Sequence, residues 1–542
     1  MIMKKRFIKT FLTICTATML MMPFAACDTT PSATVKSVDT GSTWEVTETT
    51  NLSELTIADS ATIKAPDGYL VTMTVNHIET GIEPGSYEGE IVLTPTEDII
   101  RKDSMHGEIC NLRTAIYVNN GAVVPEKSVS AAVAGGTVTD DSATDVSITS
   151  IGENFNGIIA TGDSTYSINN PKFNLTGHGG NDFAGYGAAI TTAGNADVTV
   201  NNASIITNGS IRTAVWVGGE STIHVNDSYI ETGSPPLPEG HLDPFTEGGT
   251  VMREVPFMLG MTGTCRATNL LDSGTAYYTN SHIKAQGWGA LSIDAVTNTK
   301  MFATKCLIET VESGYGAFTL GENISTFSEC TFNVTDIGMI SQDGDSVFTD
   351  STVVNSGRFG VMYHGSGDVT IDKGSVFNTK STAIQMKSPD HNIVVDNAQL
   401  NPENGIIIQT MANDDPNMAG RGRREGGMPE GEMPEGGIPG GAPGGGFPAD
   451  GGIPDGGRSG GSNDTKATFS NVILNGDIIH GDTYSGAMDV NFENATITGA
   501  ITTATIKHAL GPNGEEITMQ TPELYYLIGE VSNIFGATDD PI

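Results

Sequence analysis

Val200-Asn-Asn-Ala-Ser-Ile205 and Val225-Asn-Asp-Ser-Tyr-Ile230 are two copies of one phrase: apolar, polar, Asn or Asp, small, polar, apolar. It returns as Phe348-Thr-Asp-Ser-Thr-Val353, Val395-Asp-Asn-Ala-Gln-Leu400 and Phe492-Glu-Asn-Ala-Thr-Ile497. Taking the last residue of each copy as an anchor gives 173, 205, 230, 283, 308, 332, 353, 376, 400, 474 and 497, and most steps are 21 to 25 residues. A repeat of that length is one small structural unit stacked many times, which is a solenoid.

A second phrase, Gly or Thr followed by Ala and then by apolar residues at alternate positions, sits between anchors. Gly187-Ala-Ala-Ile190, Thr213-Ala-Val-Trp216, Gly289-Ala-Leu-Ser292, Gly316-Ala-Phe-Thr319 and Thr382-Ala-Ile-Gln385 are examples. Short runs rich in Val, Ile and Thr, parted by Gly, Asn and Asp, read as strands. No run of ten or more residues has helical periodicity, which excludes an α-solenoid. Leu at fixed positions is also missing, which excludes a leucine-rich horseshoe. On the periodicity, the Asn-x-x-apolar phrase and the apolar ladders, residues 151 to 510 resemble the right-handed parallel β-helix proteins of the pectate-lyase-like superfamily. The expected class is all-β: a right-handed parallel β-helix with a β-rich N-terminal cap and a long disordered Gly/Pro loop. One scaffold hosts many functions, so the resemblance implies the fold and no particular activity.

The flanking segments follow. Lys4, Lys5, Arg6 and Lys9 precede an apolar run from Phe11 to Phe24, the pattern of a secretion signal over residues 1–26. Phe24-Ala-Ala-Cys27 resembles a bacterial lipoprotein lipobox, with Phe where Leu is usual. That resemblance implies lipidation of Cys27, a tether over 27–42, and export to the outer face of the cytoplasmic membrane or the cell surface. Ordinary signal cleavage is the alternative. Residues 43–150 carry short alternating runs and read as an N-terminal cap or small β-domain, covering the apolar end that a solenoid would otherwise expose. The β-helix proper spans 151–415 and resumes over 465–510. Between them, 416–464 is too rich in Gly and Pro to bury a core and reads as a disordered insertion. Residues 511–542 supply a C-terminal cap. A second interruption, Pro235 to Thr262, reads as one coil carrying a long loop.

Sixty-four acidic residues against 27 basic ones give a net charge of −37. That balance excludes a nucleic-acid partner and disfavours dense anionic polymers, and it suits neutral or cationic ligands. Calcium fits the acidity, but no motif for it is present, and no metal site or cofactor is assigned. The four cysteines beyond Cys27 are too few for a disulfide scaffold. Cys306 and Cys330 fall on one ladder, as buried thiols or as a disulfide.

Two constellations carry possible chemistry. Gly185-Tyr-Gly-Ala188, Gly287-Trp-Gly-Ala290, Gly314-Tyr-Gly-Ala317 and Gly357-Arg-Phe-Gly-Val361 place Tyr186, Trp288, Tyr315 and Phe359 in one row, with Arg212 on an intervening coil. Flat rings bury the apolar side of sugars, so this row and Trp216 are candidate ligand residues for an extracellular glycan or cell-wall polymer. An aromatic stack packing a corner explains the same residues. The alternating register of the second strand sets Trp216, Ser292, Asp294, Thr319, Ser341, Asp343, Tyr363, Gln385 and Lys387 outward. Asp294, Asp343, Tyr363 and Lys387, with Arg358, are the candidate catalytic set, because a base beside acidic groups suits proton abstraction from a uronate. A solvated polar face accounts for them equally. Gly177-His-Gly179 is similar to the Gly-His-Gly of polygalacturonases, but the acidic elements before it and the Arg-x-Lys after it are missing. His364 falls inward in this register. The expected function is a monomeric, lipid-anchored binding rod; a uronan lyase or epimerase and an adhesive stalk are the alternatives.

Overall fold

The computed structural model describes residues 34–103, 107–238, 255–294, 297–363, 365–411, 464–482, 484, 486–504, 508–510 and 516–518. The Cys27 lipidation site, His364, all but the last residue of the Gly/Pro insertion and nearly all of the C-terminal cap lie outside them.

Three parallel sheets wind around one core, and each coil gives one strand to each sheet. In one coil Thr222–Asn226 is the lead-in strand, Tyr229–Thr232 the anchor strand and Thr268–Leu270 the third; Thr275–Thr279 opens the next coil. Like pairs with like from coil to coil: Ile223 lies opposite Ala276, Ile230 opposite Ile283 and Val217 opposite Leu270. Val, Ile and Phe at these inward positions build a continuous interior in which the Phe359 and Phe377 rings lie 4.3 Å apart.

The Asn or Asp of the repeated phrase makes the corner between the first two strands. Asn170, Asn202, Asp227, Asn280, Asp350, Asn397, Asn471 and Asn494 all have φ between 48° and 54°. Short polar side chains tolerate this left-handed conformation by bonding to nearby backbone. Lys305, Glu329 and Lys373 adopt it too, at φ of 56°, 53° and 50°. In two coils the corner holds an extra left-handed residue, Ser351 (φ 66°) or Gly374 (φ 81°). The strand that follows is displaced by one position, so Val354 and Phe377 point inward and the expected anchors 353 and 376 point out. A one-residue slip exchanges every side chain between faces.

Both long excursions leave and rejoin within a coil. Tyr229 pairs with His282 across the first, and Asn392 pairs with Lys466 across the second. The solenoid also begins before residue 151, since Ser142–Thr144 and Ser147–Ser150 pair in parallel with the coil after them. Ile78 and Glu79 pair with Thr149 and Ser150, so the cap strands extend the anchor sheet. Buried Glu79 clamps this join, accepting from Arg113 Nη1 at 3.0 Å, Ser150 Oγ at 2.6 Å and the Gly152 amide at 3.1 Å. Residues 43–150 are therefore a cap built into the solenoid.

The three sheets differ on their outer faces. Lead-in and anchor strands alternate buried and accessible residues, as in Thr222–Asn226 and Tyr229–Thr232. The third sheet is buried on both faces, with every residue of Gly289–Asp294, Ile337–Ser341, Arg358–Met362 and Ile406–Thr410 buried. We call it the covered sheet. Val255, Leu259 and Met261, from the helical turn Val255–Met258 and the residues after it, pack on Trp288, Tyr315, Phe318, Ile337, Ile340, Val361 and Tyr363. Nearer the cap, Ile99, Ile109 and Leu112 pack on Tyr117, Ile159 and Ala184.

Candidate functional site

Both sets of candidate residues belong to the covered sheet or its edges. Trp216 is fully buried; its Nε1–H donates to the Phe183 carbonyl at 3.1 Å and the Arg101 guanidinium lies 4.1 Å from its ring centre. Tyr315 pairs with Ile337 and Ile337 with Arg358, so these three share a row. Gly289 opposes Tyr315, which sets Trp288 one residue before that row. Trp288 and Tyr315 point outward but are buried, and the Tyr315 hydroxyl meets Ser292 Oγ at 2.7 Å. Phe359 points inward against Phe348 and Phe377. Tyr186 is half-buried and its hydroxyl donates to the Cys110 carbonyl at 2.5 Å. Arg212 is buried beneath the corner, donating to the carbonyls of Gly177, Phe155, Gly187, Gly152 and His178. The expected aromatic row is thus divided between core, corner and a covered surface.

The candidate catalytic residues do not converge. Asp294 pairs with Leu320, and the same register runs on through Gln342 and Tyr363 to Lys387. Four rungs separate Asp294 from Lys387, roughly 19 Å at the usual strand spacing. Thr319 and Ser341 face inward, because Phe318 and Ile340 take the outward positions of their strands. Asp343 therefore lies one residue beyond the row, where its Oδ1 accepts the Ser366 amide at 2.9 Å. The Lys387 ammonium sits 5.9 Å from the Tyr363 ring centre, and Arg358 donates to Gln385 Oε1 at 2.5 Å.

Asp294 instead joins a buried cluster the sequence did not disclose. Arg266 Nη1 lies 2.5 Å from Asp294 Oδ2 and Arg266 Nε 3.3 Å from Asp182 Oδ2, with all three side chains at most 3 % exposed. Burial pushes the Asp294 carboxyl up to about 6; Arg266 opposes the shift and Asp182 adds to it. Cys306 and Cys330 are free thiols in the core, so of the two expected states the reduced one is present.

Among the described residues, an open face with a repeating chemistry occurs on the anchor sheet. Asn333, Asn355, Asn378 and Asn401 occupy successive rungs. Each amide donates to the one before it: Asn355 to Asn333 at 2.9 Å, Asn378 to Asn355 at 2.9 Å and Asn401 to Asn378 at 3.0 Å. Beside them, two residues earlier in each strand, runs the row Leu307, Thr331, Val353, Val376 and Gln399, whose half-buried apolar members include the adjacent pair Val353 and Val376. Further along, Glu231 takes bonds from Lys284, Gln286 and Tyr229, so the charged end of the face is satisfied internally. The signal was present in the sequence as an Asn directly after each inward anchor, but it appears only when the anchors are 354 and 377.

No family model matches the chain, and no curated protein matches its sequence.

Proposed function

We propose that this protein is an exported, lipid-tethered and non-catalytic rod that binds an extended, neutral, polyhydroxylated polymer along the open face of its anchor sheet. The observation that carries this reading is the row Asn333–Asn355–Asn378–Asn401. An amide has two N–H donors and an oxygen with two lone pairs. The ladder uses one donor and one lone pair of each central amide and leaves one of each on the surface. They recur about every 4.8 Å, close to the length of one sugar unit in an extended glycan. The pair Val353 and Val376 supplies an apolar surface for the C–H faces of the rings. The net charge of −37 disfavours anionic polymers. The amides are already held in line by their neighbours, so little side-chain entropy is lost on binding.

Affinity electrophoresis of the detergent-solubilised full chain against neutral glucans, mannans, xylans and chitin fragments tests this. At least one should retard it, and Asn355→Leu with Asn378→Leu should weaken that binding tenfold or more with the melting temperature kept. Unchanged binding, or no ligand in the panel, defeats the reading. New ultraviolet absorbance from uronate polymers would favour a lyase in its place, and binding only to whole cell walls would favour a stalk.

A further inference from the structure

The corner between anchor and covered sheets holds, in the first coils, a cleft of about 190 Å³ lined by Glu153, Asn154, His178, Ser210, Ile211 and Pro238. Its size is below the roughly 300 Å³ of sites that enclose a drug-sized ligand. Its chemistry is set by an unusual piece of backbone. Ile211 has φ 52°, a left-handed conformation that β-branched residues avoid. The turn is held because the Ile211 amide donates to the Thr264 carbonyl at 3.0 Å and Arg212 is pinned below by five carbonyls. Gly179 lets it close, since a Cβ there would stand 2.0 Å from the Ile211 carbonyl oxygen. Strain sustained in this way is a pointer to function.

The turn aims Ser210 at His178. The Ser210 amide lies 3.2 Å and its hydroxyl 2.7 Å from His178 Nδ1. Nδ1 is thereby the acceptor, and the neutral ring carries its proton on Nε2, at its other edge. Across the cleft, Asn154 Oδ1 is buried without a hydrogen-bond partner. Gly180 makes room for that amide, because a Cβ there would lie 2.3 Å from Oδ1. A buried acceptor without a donor is costly, and a ligand hydroxyl would relieve it. Glu153 adds two carboxylate acceptors at the exposed edge, and Ile211 and Pro238 form an apolar wall. Of the two cations nearby among the described residues, Arg212 is turned wholly to backbone, and Arg113 pairs with Glu79 and donates to the Glu153 carbonyl.

We infer that this corner binds a single neutral sugar residue. Adjacent hydroxyls donate to Asn154 Oδ1 and Glu153, another accepts from His178 Nε2–H, and a C–H face rests on Ile211 and Pro238. Glu153 repels an anionic sugar. The site is independent of the Asn row, whose first member lies four rungs from the strand that leads into Ser210, roughly 19 Å away.

Saturation-transfer NMR and calorimetry on the detergent-solubilised full chain, with glucose, galactose, mannose, N-acetylglucosamine and galacturonate, test the inference. At least one neutral sugar should bind saturably, with galacturonate at least tenfold weaker. Asn154→Gly keeps the left-handed backbone and removes Oδ1, and should weaken binding at least tenfold. Exposed Glu153→Ala should do the same, and it remains informative if Asn154→Gly unfolds. Asn378→Leu should leave monosaccharide binding intact while reducing polymer binding. The inference is overturned if no neutral sugar binds, if galacturonate binds as well, if Glu153→Ala matches the parent, or if Asn378→Leu abolishes monosaccharide binding.

Discussion

The anchor sheet and the covered sheet come from the same coils, strand for strand, yet they solve opposite problems. Anchor strands bury every second residue and leave the rest accessible, as Val353–Ser356 and Val376–Thr379 do. Covered strands such as Arg358–Met362 bury everything. Parallel strands buried on both faces lose the alternation that marks a half-buried strand. Some polar residues in covered strands find partners there, as Ser292 finds Tyr315 and Arg358 finds Gln385, whereas the Thr319 and Ser341 hydroxyls are buried without one. On the anchor sheet the same residue types face out and are available to a ligand. Ser, Asp, Arg and Lys on the covered sheet are therefore mostly evidence of packing, and Asn on the anchor sheet is evidence of a surface.

The largest test of this contrast is Trp216→Ala against Val376→Ala. Trp216 is completely buried under Arg101 and Phe183. Its truncation should cost about 3–5 kcal/mol in urea denaturation. Val376 packs only partly, and its truncation should cost under about 1 kcal/mol. Equal losses would mean the covered face is open in solution.

Arg266→Met is expected next, at about 3 kcal/mol near pH 7, because it leaves Asp182 and Asp294 buried without their cation. The pH dependence follows from Asp294, whose carboxyl is raised from 3.8 to about 6 by burial. Between those values the folded chain holds a proton that the unfolded chain releases. Stability from this group is therefore complete below about pH 4 and declines as pH rises through about 6. The Arg266→Met deficit should be smaller at pH 4 than at pH 7; a deficit that is constant with pH would show that the carboxylates are not the cause.

Much of the architecture could be read from spacing, since apolar anchors, left-handed Asn and small residues repeat for one physical reason each. The site was harder, and the errors share a cause. Ser351 and Gly374 add one residue at a corner, and Phe318 and Ile340 take positions expected for Thr319 and Ser341. Each slip exchanges inside for outside, which hid the Asn row and placed Asp343 in a row that Asp294, Tyr363 and Lys387 share without it. The Arg266 cluster draws on residues 182, 266 and 294, and the corner cleft on residues from 153 to 238. No local pattern connects positions so far apart in the chain.

The corner itself offers the smallest and most specific test. Lys305 occupies a left-handed position, φ 56°, that Asn or Asp holds in most coils, and its ammonium makes only an exposed contact with Glu329 at 3.7 Å. Such a contact contributes little. The left-handed conformation costs an ordinary L-residue roughly 1–2 kcal/mol, and Asn recovers part of that by bonding locally. Lys305→Asn should thus raise stability by about 0.5 kcal/mol and extend the chain of corner amides in which Asn280 donates to Asp227 at 2.5 Å. The same exchange at Lys102, on an exposed strand of the cap, should do nothing measurable. If Lys305→Asn destabilises the chain, the corner Asn is not selected by backbone conformation, and the repeated phrase owes its Asn to something other than scaffold.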